Sequence, residues 1–172
     1  MVTIEAEERV EDAMRRSERG ERDPDLGVLS ARLLFAVQDE LFGTLARQGH
    51  PGLRPRHGAV LAHLDPEGGR ATDLARRSGR TKQVVGRLLD ELEALGYVER
   101  RPHPADRRAK LVVPTARGLD QMAKADAIMA SIERRHADAL GPDGYRDFKR
   151  ALREAARRQR AADGPAAGPS WR

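Results

Sequence analysis

The chain contains no cysteine, which excludes disulfides, thiolate metal sites, cysteine nucleophiles and thiol redox switches together. Aromatic residues make up only 3% of it, so the core must be assembled from Leu, Val, Ala and Ile. Long apolar runs are missing as well. The longest, "LLFAV" at 33–37, is far too short to cross a bilayer. The first 25 residues hold nine acids, five arginines and no apolar run, which is not the pattern of a signal peptide. A soluble, cytoplasmic protein is expected. No Ser-His-Asp set, paired carboxylates, Gly-rich phosphate loop or metal cluster occurs at a workable spacing, so neither an enzyme nor a cofactor is expected.

Charge is abundant instead. Asp, Glu, Lys and Arg supply 34% of the 172 residues, a length that suits one domain. The net charge of +5 favours an anionic partner without naming it. Its distribution says more: residues 1–25 sum to −4, whereas residues 70–118 carry twelve Lys and Arg against six acids. The basic character belongs to the middle of the chain.

Periodicity divides the sequence without any internal repeat or linker. Residues 1–24 read as an acidic arm, either a marginal helix held by pairs such as Glu5/Arg9 or a disordered segment. Leu26, Leu29, Leu33, Val37, Leu41 and Leu45 mark a helix that stops near "QGHPG". A second helix is expected from Pro55 through Leu64. "TDLARRSG" (72–79) predicts a short third helix, with Thr72 as N-cap and Gly79 as its end. "TKQVVGRLLDELEALG" (81–96) predicts a fourth, with Val84, Val85, Leu88, Leu89, Leu92 and Leu95 facing inward. Lys82, Gln83, Gly86, Arg87 and Asp90 remain on its outer side. "YVER" (97–100) and "KLVV" (110–113) read as strands joined by the basic loop "RRPHPADRRAK". Helices follow over 115–140 and 142–160, and the Gly- and Pro-rich end, 161–172, reads as disordered.

The fold class is therefore mostly α with a small β-hairpin. Its arrangement is a winged helix-turn-helix over 54–114, flanked by helical regions at 25–50 and 115–160. An exposed helix carrying Lys82, Gln83 and Arg87 matches the width of the DNA major groove, and Thr81 at its start suits a phosphate. The basic hairpin suits the adjacent minor groove. Arg100, Arg101, Arg107 and Lys110 read as backbone-positioning charges and His103 as a wing-tip contact. Thr72, Arg76, Arg77 and Arg80 near the turn are either phosphate contacts or a solvated face. The spacing of His50, His57 and His63 fits no strong metal motif, so no metal is expected.

Residues 72–118, "TDLARRSGRTKQVVGRLLDELEALGYVERRPHPADRRAKLVVPTARG", resemble the core of the MarR family of multiple antibiotic resistance regulators. The family's wing signature, Asp-x-Arg, five residues, then Leu-Thr, is met by Asp106, Arg108 and Thr115, with Pro114 where Leu is usual. Helical order extends the similarity to 26–160. The resemblance implies a homodimeric regulator, usually a repressor, that leaves its pseudo-palindromic double-stranded DNA when a small anionic or phenolic effector binds. It also implies that the flanking helices form the dimer, which suits apolar stripes larger than one small core requires. Within this motif Arg108 is expected in the minor groove with Asp106, two residues earlier on the same hairpin face, aiming it. The competing reading of that pair is an ordinary surface ion pair. An activator or architectural protein without an effector, or a protein-protein adaptor, remains the alternative function.

Overall fold

The computed structural model describes residues 23–103 and 106–162, excepting the side chains of 103–109 and 162. Most of the expected acidic arm and terminal tail thus lies outside the described residues. The rest falls into two units, one ending at Glu40 and one beginning at Leu41.

The first unit comprises the turn at Asp25 and most of helix α1 (Leu26–Arg47). Asp25 Oδ1 accepts from Val28 N at 2.9 Å and opens the helix. Leu26, Leu29, Leu33, Leu34 and Phe35 are exposed.

The second unit holds the remaining turns of α1, helix α2 (Pro55–Leu61), strand β1 (Gly69–Arg70), helices α3 (Ala71–Ser78) and α4 (Lys82–Ala94), strands β2 (Val98–His103) and β3 (Asp106–Pro114), and helices α5 (Ala116–Leu140) and α6 (Pro142–Ala162). Pro55 occupies the first turn of α2, where a missing N–H costs nothing. Thr81 caps α4 by accepting from Val84 N, and Thr115 caps α5 by accepting from Gly118 N at 3.1 Å. Leu45, Leu53, Leu74, Leu89, Leu92 and Tyr97 are fully buried and form the core of this unit. Each such leucine contributes about 1.5–3 kcal/mol by leaving water.

The sheet is antiparallel in the order β1-β3-β2. Val98 pairs with Pro114 and Pro102 with Lys110, so the hairpin is much longer than the two four-residue strands expected from sequence. Pro102 is tolerated because β2 is an edge strand. The short strand β1 adds Gly69 opposite Val112 and Arg70 opposite Leu111. Gly68 permits that approach: with φ +90°, a Cβ there would lie 2.5 Å from Val112 O. Because the chain enters α3 directly from β1, Arg70 occupies the N-cap position and makes no side-chain cap. Thr72, expected as the cap, lies inside the helix.

Candidate nucleic-acid interface

Helix α4 is held from below and left open above. Val85, Leu88, Leu89 and Leu92 bury its inner face. Thr81, Lys82, Gln83 and Arg87 lie on the exposed side, as does Val84, which is 44% exposed. Sequence periodicity had placed Val84 in the core. It falls in the first turn of α4, on the exposed side with Gln83 and Arg87.

The surrounding cations differ in how far they are committed to other groups. Arg77 donates to Asp65 at 2.7 Å, and Arg76 to Asp73 at 3.2 Å. The guanidinium of Arg77 holds the Asp65 carboxyl below its ordinary range, first by hydrogen bonding and then by charge. Thr72 is exposed on the same short helix. Among the described residues Arg80, Lys82, Arg87 and Lys110 have no carboxylate partner, and all four are exposed.

Arg100 is a latch between wing and helix. Its guanidinium donates to Asp90 Oδ1 at 2.6 Å and to Glu93, and its backbone N–H donates to Glu93 Oε1 at 3.1 Å. Only 24% of the side chain is exposed. Arg101 turns to Glu99 on its own strand. The side chains of His103, Asp106, Arg107 and Arg108 lie outside the described residues, and the expected Asp106–Arg108 pair with them. Their backbones belong to the hairpin, in which His103 pairs with Asp106.

His50 and His57, whose spacing with His63 fits no strong metal motif, are buried structural joints. His50, 2% exposed, meets Tyr97 Oη through Nδ1 and Asp120 Oδ2 through Nε2, both at 3.1 Å. Asp120 also accepts from Lys124 at 2.6 Å, and that bond leads the contacts that lower its pKa. His57, 1% exposed, accepts the Arg54 backbone N–H on Nδ1 at 3.0 Å. Its proton is therefore on Nε2, which donates to Glu91 at 2.9 Å. Hydrogen bonds from His57 and then Arg56 hold Glu91 below its ordinary pKa. The contacts of the two histidines with Tyr97, Asp120 and Glu91 join residues 34 to 70 positions apart, so no local sequence signal marks them. Among the described residues no group of three or more His, Asp and Glu could hold a metal.

A cavity of about 350 Å³ lies between the last turns of α1, helix α2 and helix α5. Phe42, Leu61, Leu64, Met122 and Met129 supply apolar lining. None of the three candidate histidines lines it.

An exposed, capped helix beside a basic antiparallel hairpin defines a winged helix-turn-helix protein. Residues 52–109 match the MarR family model, and the described chain shares the fold of solved MarR-family proteins. A solved repressor, CouR, bound to a 23-mer DNA duplex is 28% identical, with a TM-score of 0.64 over 80% of this chain and 96% of that one. CouR from Rhodococcus jostii RHA1 bound to p-coumaroyl-CoA is 28% identical, with a TM-score of 0.62 over 77% and 92%. A MarR family protein of Mycobacterium tuberculosis in complex with salicylic acid is 28% identical, with a TM-score of 0.55 over 77% and 97%. Comparison with curated proteins finds no match. Among the described residues no helix is long and apolar enough to cross a membrane.

Proposed function

We propose that the protein is a homodimeric, sequence-specific regulator of transcription that acts in the cytoplasm as a repressor and performs no catalysis. The observation that carries this reading is the open face of α4, where Lys82, Gln83, Val84 and Arg87 are exposed together above a buried leucine face. Lys82 and Arg87 supply charge for phosphates or guanine, Gln83 a bidentate amide for adenine, and Val84 a methyl surface for thymine. Arg80 and Lys110 add attraction to the backbone, with Arg76, Arg77 and Thr72 at the rim. Arg108 remains the proposed minor-groove contact, oriented by Asp106. The exposed apolar residues of α1, and Phe148 and Leu152 of α6, suit a second copy of the chain.

The cavity beside α5 suits a small-molecule effector that releases the DNA, a reading supported by the ligands named for the solved relatives. Selection of bound sites from a random duplex pool tests the whole proposal. The expected product is a pseudo-palindrome with half-sites about one helical turn apart. In the same selection Val84→Ser should relax the preference for thymine at one position per half-site. Recovery of no consensus would refute sequence-specific binding.

A further inference from the structure

The cavity beside α5 has an electrostatic character that goes beyond the presence of an effector. Gln121, in the second turn of α5, lines the cavity and is only 3% exposed. Its Oε1 is buried and has no hydrogen-bond partner. A buried carbonyl left in this state is costly, and a donor brought to it recovers that cost. The charged residues around the cavity are both acids, Asp65 and Asp126; no Lys, Arg or His lines it. Arg77 neutralises Asp65 from outside the cavity, whereas Asp126 has no cationic partner among the described residues.

An anion entering this space would lose its hydration without meeting a counter-charge, and would face the Asp126 carboxylate. The Gln121 amide, which makes no hydrogen bond among the described residues, would find its partner in a polar group of a neutral ligand. The remaining lining, with Phe42, Met122 and Met129 among it, suits an aromatic or aliphatic body of one or two rings in about 350 Å³. We infer that the ligand of this cavity is an apolar molecule, uncharged or cationic, that hydrogen-bonds to the Gln121 amide, and is not an anion. This assignment rests on the reading of the protein as an effector-responsive regulator, and it departs from the anionic effectors that family resemblance implies.

The test pairs two probes that differ only in charge and donor, 2-naphthamide and 2-naphthoate. Each is titrated calorimetrically into the full-length protein, and DNA affinity is then measured with each present. Naphthamide should bind at least about tenfold more tightly than naphthoate. Gln121→Leu should remove about tenfold from naphthamide affinity and leave naphthoate unchanged, with Gln121→Met as a second variant that keeps an unbranched side chain. Because the substitution deletes an unpaired buried carbonyl, the thermal midpoint of at least one variant should not fall. Tighter binding of naphthoate, or naphthamide affinity indifferent to both substitutions, overturns the ligand class. The effector reading survives that result if naphthoate still weakens DNA binding. Naphthamide binding through Gln121 with no change in DNA affinity upholds the ligand class and removes the effector reading. Binding of neither compound overturns the ligand class.

Discussion

Replacing Arg100 by Ala separates two roles that an arginine at the base of a wing can play. Sequence alone offers it to a DNA phosphate, whereas in the structure it donates to Asp90 and Glu93 of α4. The Arg100 side chain is 24% exposed, while those of Asp90 and Glu93 are 70% and 39% exposed, so solvent screens much of the attraction. Two charge-assisted bonds at such a half-exposed site stabilise by about 1–2 kcal/mol together. For a chain of this size that is a fall of roughly 2–8 °C in Tm. The backbone N–H of residue 100 keeps its bond to Glu93, so the loss stays local. DNA affinity should fall because wing and helix are less well held. The slope of log K against log salt should not change, since no phosphate contact is lost. Asp90→Ala should cost a similar amount, and the double variant less than the sum. A slope smaller by about 0.9 with an unchanged Tm would refute the latch and restore the phosphate contact.

Three further outcomes follow from the buried joints. Tyr97→Phe removes the hydroxyl that meets His50 Nδ1 in a site where both residues are almost fully buried, and should cost about 1–3 kcal/mol in urea unfolding. Gly118→Ala puts a Cβ 2.1 Å from Tyr97 O and 3.1 Å from Pro114 Cβ, so α5 must shift and about 3 kcal/mol or more should be lost. The third concerns acid. Glu91 titrates below its ordinary value of 4.5 in the folded chain, so the unfolded chain takes up that proton first. Its stabilisation is complete above about pH 4.5 and is lost as pH falls through the folded value. Glu91→Gln should therefore flatten the acid limb of a stability-pH curve and leave its alkaline limb unchanged.

Helix order and the Leu88, Leu89 and Leu92 core face were legible because each depends on neighbours within a turn or two. Val84 was misread for the same reason: periodicity records apolarity, and an apolar residue meant for a ligand surface carries the same signal as one meant for the core. Strand β1 escaped because two residues, Gly69 and Arg70, make no alternation, and their pairing is with residues 111 and 112. The His50 and His57 joints depend on carboxylates far along the chain, and Gln121 was one more polar residue on an amphipathic helix. Local chemistry marked α4 and its open face. Its supports and the neighbouring cavity are tertiary, and no window of sequence contains them.

The first turns of α5 connect these features. Gly118 packs against the backbone of Tyr97, Asp120 holds His50, and the next two residues, Gln121 and Met122, line the cavity. At 1.5 Å per residue all four positions lie within about 6 Å along the helix axis. A ligand whose bond to Gln121 shifted this turn would push on Tyr97, because the close approach at Gly118 leaves no slack to absorb the motion there. Tyr97 immediately precedes β2, and Arg100 of β2 grips α4. If release of DNA travels by this route, the latch is needed for coupling and not for ligand binding. Arg100→Ala should then bind 2-naphthamide as the parent does, while the ratio of DNA Kd with and without the compound falls toward one. An undiminished ratio in the variant would place the coupling elsewhere.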